Sequence, residues 1–142
     1  MKKILIFRRL NKDKDINTEM MKEEKKEELD PGYIVGFVDG EGTFNLVKYP
    51  DGRARPQFLV FNTNIEILEK IKRVLGLECP IFEVNRVEDF IRSRKKCFRL
   101  QARSRRDIEK VLNFFNKNKP IVKARDFEIF KEAFEDWTFG QI

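Results

Sequence analysis

Residues 30–42 read Asp-Pro-Gly-Tyr-Ile-Val-Gly-Phe-Val-Asp-Gly-Glu-Gly, and few folds can accommodate such a run. Asp30 can cap a helix, and Pro31 suits its first position. Gly42 is expected to close that helix as a left-handed stop. Between them lie about two and a half turns, almost entirely apolar until Asp39. Gly32, Gly36 and Gly40 recur every fourth residue and so line one stripe. A helical glycine costs roughly 1 kcal/mol relative to alanine, so the interior pair forfeits roughly 2 kcal/mol. Close approach of another helix backbone is the usual compensation for such a stripe. The pattern predicts a helix packed on two sides, anchored in a core by Tyr33, Ile34, Val35, Phe37 and Val38.

Asp39 and Glu41 fall at the C-terminal end of this helix. A carboxylate there opposes the macrodipole by roughly 0.3–1 kcal/mol. A divalent cation would account for two acids so placed, because it inverts the local electrostatics. Ile34-Val35-Gly36-Phe37-Val38-Asp39-Gly40-Glu41-Gly42 resembles the signature of the LAGLIDADG homing endonucleases, and Thr43-Phe44 continues the pattern. The sequence departs from it in having Ile-Val for Leu-Ala and Glu41 where Asp is commoner, an accepted variant.

Composition bounds the remaining possibilities. The 142 residues suffice for one domain with a real core, and 14 phenylalanines would dominate it. A net charge of +6 points to a polyanionic partner. Histidine is absent, which excludes Ser-His-Asp, Cys-His and zinc–histidine hydrolases and leaves carboxylates, Lys or Arg with a hard metal. No apolar run is long enough to span a membrane. Cys79 and Cys97 are too few and scattered for a disulfide framework or zinc site. They suit a reducing intracellular compartment, whether bacterial or archaeal cytoplasm or an organelle.

Residues 1–29 form a charged extension, disordered or helical, too rich in Glu for a transit peptide. The domain proper is expected over 30–142. Thr43–Tyr49 alternates as a strand, Pro50-Asp51-Gly52-Arg53 is a turn, and Arg55–Phe61 returns, apolar from Phe58 onward and therefore ambiguous in facing. Asn62-Thr63-Asn64 offers a cap for a helix patterned on Ile65, Leu68, Ile71 and Leu75 and closed by Gly76. A second such unit follows: strands over Ile81–Val87 and Lys95–Arg103, then a helix over Asp107–Asn116. In the second strand Phe98, Leu100 and Ala102 face inward, Arg99, Gln101 and Arg103 outward. Pro120 breaks the chain, and a last helix is expected over Ile121–Trp137 with Phe127, Phe130 and Phe134 at core spacing.

The resemblance covers residues 30–137 and implies an α+β fold, the LAGLIDADG fold: αββαββα with an additional C-terminal helix and a saddle-shaped antiparallel sheet facing DNA. With one motif copy, it implies a homodimer through the motif helices, with Gly32, Val35, Gly36, Asp39 and Gly40 at the interface. The implied activity is that of an intron-encoded, site-specific endonuclease making a Mg²⁺-dependent staggered double-strand break in a long pseudo-palindromic site. Glu41 would bind Mg²⁺ or another divalent cation. Lys123 would be the active-site lysine, and Asn62 or Asn64 would lie near the polar water-positioning residue, Asn62 being the one assigned. Asp39 is usually structural in this motif.

Residues 81–106 carry nine basic and three acidic side chains, a surplus equal to that of the whole chain. Sheet faces bearing Arg, Gln, Asn and Tyr suit major-groove reading. The candidates are Asn45, Val47, Tyr49, Arg53, Arg55 and Gln57 in the first hairpin, and Asn85, Arg92, Arg94, Lys95, Arg99, Gln101 and Arg103 in the second. Arg105 and Arg106 lie near a helix start. Two rival readings keep the basic sheet without requiring cleavage: an intron maturase with RNA as its partner, and a catalytically silent DNA-binding regulator. Glu41 argues mildly against both, since a pure binder needs no acid at a helix C-terminus.

Overall fold

The computed structural model describes residues 28–84 and 95–139. Helix α1 (Pro31–Glu41) starts as anticipated: Asp30 caps it by accepting from the Gly32 N–H at 2.7 Å, with Pro31 in the first turn. Strands β1 (Gly42–Lys48) and β2 (Ala54–Asn62) form a hairpin whose turn is closed by Tyr49 N–H donating to Arg53 O at 2.8 Å. Gly52 there adopts a φ of 85°, which favours glycine. Helix α2 (Ile65–Leu75) is capped by the Asn64 side chain and ends at Gly76 in the left-handed region. Strands β3 (Ile81–Val84) and β4 (Cys97–Ala102) follow, then α3 (Arg105–Lys117), capped by Ser104, and α4 (Ala124–Phe139). The sheet is antiparallel throughout, in the order β1-β2-β4-β3.

The architecture is thus α+β, αββαββα with one further helix. Asn85, Arg92, Arg94 and residues 1–27 lie outside the described residues. Pairing resolves the facing of β2. Phe58 lies opposite Phe44 and Ala102, and Val60 opposite Leu100, so these point into the core, while Leu59 and Phe61 take the other face. Side chains from all four helices cover the core face, including Ile34, Val38, Ile71, Ile108 and Phe130. Phe44 is the hub: its ring lies 5.1–5.4 Å from those of Phe58, Phe115, Phe127 and Phe130. Tilted and edge-on contacts of this kind add about 0.5–1.5 kcal/mol each beyond burial. Phe44 therefore fixes the start of β1, and with it the end of α1.

Two expectations are corrected. Gly42 is no left-handed stop; its backbone is extended, with φ −87° and ψ 172°. Glycine is required there by space, since an added Cβ would fall 2.7 Å from Val38 Cγ1 and 3.0 Å from the Val38 carbonyl oxygen. Gly42→Ala is expected to destabilise the fold by about 1–3 kcal/mol through overpacking at a buried seam. Urea denaturation checks this; an unchanged midpoint would mean that α1 and β1 separate readily. The last helix begins at Ala124, three residues later than Ile121, because Ile121 to Lys123 form a turn held from α1.

Arg105 and Arg106 occupy the first turn of α3, and the same turn carries Asp107, only 2% exposed. Its carboxylate accepts from the backbone N–H groups of Glu78 at 2.9 Å and Cys79 at 3.1 Å, tying the segment before β3 to α3. Burial, reinforced by the Asp107 charge, pushes the Cys79 thiol up to about 12. At pH 8 only about one Cys79 side chain in 10⁴ is then thiolate, the reactive form. Iodoacetamide at that pH is expected to leave Cys79 unmodified in the folded protein and to label it in urea. Peptide mass mapping reads the result, and rapid native labelling would contradict the burial.

Candidate active site and nucleic-acid interface

The two acids of α1 have different fates. Asp39 crosses to the turn before α4, where one carboxylate oxygen accepts from Ile121 N–H at 2.9 Å and the other from Lys123 N–H at 3.3 Å. In return the Lys123 ammonium donates to the carbonyl oxygens of Val38 at 3.2 Å and Asp39 at 2.7 Å. Each group stands at the wrong end of its own helix and the right end of the other: an acid at the N-terminus of α4, a base at the C-terminus of α1. Asp39 therefore needs no cation to explain it, and its carboxylate is engaged within the chain.

Asp39→Ala removes both acceptors and leaves the turn's N–H groups without their partners. Hydrogen bonds to a charged group contribute about 1.5–3 kcal/mol, so a loss of about 2–4 kcal/mol is expected on thermal or urea denaturation. A loss below about 0.5 kcal/mol would mean that water replaces the carboxylate without cost.

Glu41 closes α1 and is exposed; among the described residues no hydrogen bond or ion pair engages its carboxylate. The α1–α4 clamp thus brings the Lys123 ammonium to the end of the helix from which Glu41 projects. No group of three or more His, Cys, Asp or Glu gathers to hold a metal among the described residues. The Glu41 carboxylate is a hard-oxygen donor, a type that suits Mg²⁺ or Ca²⁺ and not a soft metal. The Asn62 side-chain oxygen accepts from Asn64 N–H at 2.8 Å, and Asn64 in turn caps α2.

The glycine stripe is open at Gly36 and Gly40 but not at Gly32, where an added Cβ would lie 3.0 Å from Asp30 Oδ1. An added Cβ at Gly36 or Gly40 would meet nothing within 4 Å. Tyr33, on the same face, is exposed and stacks on Phe37 at 6.3 Å. Ile121 and Val122, at the turn beside the end of this helix, are 83% and 79% exposed.

On the sheet face opposite the core, strand pairing aligns Asn45 with Gln57, Val47 with Arg55, Leu59 with Gln101, and Phe61 and Phe82 with Arg99. Arg103 follows β4 on the same side, and the exposed Lys95 precedes it. Arg53 lies in the exposed turn, 3.6 Å from Asp51. Arg55 is held between Tyr49 and Trp137, its guanidinium 5.0 Å from each ring centre; Arg105 lies 4.8 Å from that of Trp137. Arg99 lies over Phe82 at 5.4 Å. Trp137 and Phe82 are aromatic platforms that the sequence pattern did not single out. Alternation in β3 is the signal that would have placed Phe82 outward, whereas nothing local joins Trp137 to Arg55. Gln57, expected as a surface reader, is 6% exposed and bonded on both its polar atoms.

A family model described as LAGLIDADG endonuclease matches residues 34–134. No curated protein matches the chain. Among solved structures, a homing endonuclease, I-TnaI, is similar with a TM-score of 0.64 at 24% identity, over 80% of this chain and 76% of that one. The archaeal intron-encoded homing endonuclease I-Vdi141I, complexed with DNA, is similar with a TM-score of 0.63 at 30% identity, over 78% and 69%. The LAGLIDADG homing endonuclease I-GzeII, in complex with a DNA target, gives 0.62 at 29% identity; the match spans 78% of this chain but 36% of that longer one. A helix ending in an exposed acid, a four-stranded antiparallel sheet with a basic outer face and a family match across most of the chain agree: it belongs to the LAGLIDADG endonuclease family.

Proposed function

We propose that the protein is a site-specific homing endonuclease that acts as a homodimer and makes a Mg²⁺-dependent, staggered double-strand break in a long, nearly palindromic DNA site. The observation that carries this reading is Glu41, an uncommitted carboxylate at the end of a helix whose glycine face is open. Pairing two copies across that face brings two Glu41 side chains together, where their like charges would repel unless a cation is shared. The DNA complexes of I-Vdi141I and I-GzeII support duplex DNA as the ligand, and the intron-encoded origin of I-Vdi141I supports the homing role.

Glu41 from each copy would hold the ion. When bound, Mg²⁺ neutralises charge at the scissile phosphate and lowers the pKa of water. Lys123, fixed by α1 carbonyl groups, adds a positive charge to the same helix end and opposes the charge that develops on the phosphate. Asn45, Gln101 and Arg103 meet base edges, while Lys95, Arg53 and Arg99 meet phosphates and set the salt dependence. A two-fold dimer reads two related half-sites, which accounts for the near-palindromy of the target.

The test is cleavage of a randomised duplex library with and without Mg²⁺. Cutting at one near-palindromic sequence in Mg²⁺ alone is expected. Tight binding without cutting would replace this reading with a DNA-binding regulator, and preference for structured RNA would replace it with a maturase.

A further inference from the structure

Gln57 is buried in the middle of the outer sheet face, and its amide joins three strands. Its Oε1 accepts from Gln101 Nε2 at 2.7 Å and from Arg103 Nε at 2.6 Å. Its Nε2 donates to Asn45 Oδ1 at 3.0 Å. An amide can ordinarily turn over, exchanging donor and acceptor, but this one cannot. The guanidinium of Arg103 carries donors only and never loses its proton, so the atom facing it must be an acceptor. That single constraint orients the whole set. Oε1 of Gln57 faces Arg103; Gln101 must then present its NH₂ to the same oxygen; and Nε2 of Gln57 faces Asn45, which must present its oxygen.

We infer that Gln57 is a positioning residue that sets the donor–acceptor pattern the sheet shows to the major groove, and reads no base itself. Among the described residues, the network engages Asn45 through Oδ1 and Gln101 through Nε2. Asn45 therefore offers Nδ2–H₂ to a ligand, Gln101 offers Oε1, and Arg103 offers its terminal N–H groups. Donors select base edges with acceptors, such as guanine N7 and O6, whereas the Gln101 oxygen selects the amino group of adenine or cytosine. The inference rests on the sheet as the DNA-binding face but does not depend on cleavage.

The decisive variant is Gln57→Glu. A carboxylate still accepts from Gln101 and Arg103 but cannot donate, so Asn45 must turn its NH₂ inward and its oxygen outward. Binding is measured by selecting from a randomised duplex library in Ca²⁺. The base pair under Asn45 is defined as the one whose preference Asn45→Ala erases. At that pair the variant is expected to exchange a preference for an acceptor-bearing base for one bearing an amino group. The pairs under Gln101 and Arg103 keep theirs, each about 5- to 150-fold. Gln57→Leu is expected to relax all three. Retention of the Asn45 preference in Gln57→Glu, or loss confined to a single new pair in Gln57→Leu, would make Gln57 a direct reader and overturn the inference.

A second measurement needs no DNA and no variant that folds. In the wild-type protein the Gln57 and Gln101 side-chain NH₂ groups and Arg103 Nε–H are expected to exchange with water well below solvent-exposed rates by ¹⁵N NMR. Exchange at exposed rates would overturn the network. If the wild type binds no duplex at all, the endonuclease reading and the major-groove role of Gln57 fall together, and slow exchange would leave the network as internal structure only.

Discussion

Glu41→Gln is expected to reduce cleavage roughly 10²- to 10³-fold, the scale seen when a group that stabilises transition-state charge is removed. The change is nearly isosteric and exposed, so the fold should hold its melting temperature to within a degree or so. What disappears is charge, and the consequence for binding has a definite sign. If two Glu41 carboxylates face the duplex as proposed, they repel it without divalent ions, so in EDTA the variant should bind target duplex more tightly than the wild type. With Ca²⁺ the order should narrow or reverse, because only the wild type keeps the carboxylate that would hold the ion and so offset the repulsion. Electrophoretic mobility shifts in the two buffers, beside a Mg²⁺ cleavage assay, read all three quantities. Full cleavage by the variant would remove Glu41 from the site. Equal affinities in EDTA would place it away from the phosphates.

What the sequence disclosed is what short-range patterns can encode. The Asp30-Pro31 start, the Gly76 stop and the Phe127–Phe130 stripe each lie within a few residues, and each appears where the pattern put it. The α+β order followed from such patterns together with the motif. Apart from Gly42, whose constraint is the nearby Val38, the errors share a cause: contacts between residues far apart in the chain. Asp39 and Lys123 are 84 positions apart, so nothing local showed that the acid serves α4 while the lysine serves α1. The same contact delays α4, since Ile121 and Val122 continue its apolar spacing but belong to a turn whose N–H groups Asp39 has taken. In β2, apolar side chains occur on both faces, and only pairing with β1 and β4 separates Phe58 and Val60 from Leu59 and Phe61. Gln57 shows the same limit most clearly: alternation puts it on the outer face, but its burial comes from partners on two other strands.

The glycine stripe yields a prediction whose two halves have opposite signs. Within one chain, Gly36 and Gly40 have room for a Cβ, so no internal contact demands glycine at either position. Replacing both with alanine should therefore stabilise the isolated subunit by about 1–2 kcal/mol from helix propensity alone. For a domain of this size that raises the melting temperature by several degrees. If two copies meet along this face, the same methyl groups hold the helix backbones apart and forfeit the close packing that offsets helical glycine. The double variant should then sediment as a monomer at concentrations where the wild type is a dimer. Its cleavage should fall by roughly 10²-fold or more, the scale of misplacing a reacting group by an ångström. Gly36→Leu should do the same more completely, since a leucine on an open face leaves the subunit folded while blocking approach. A merely structural role for the glycines predicts the reverse, lower stability with no change in assembly. Sedimentation velocity, thermal melting and cleavage measured on one preparation separate the two, because only an interface lets the subunit become more stable as the enzyme becomes inactive.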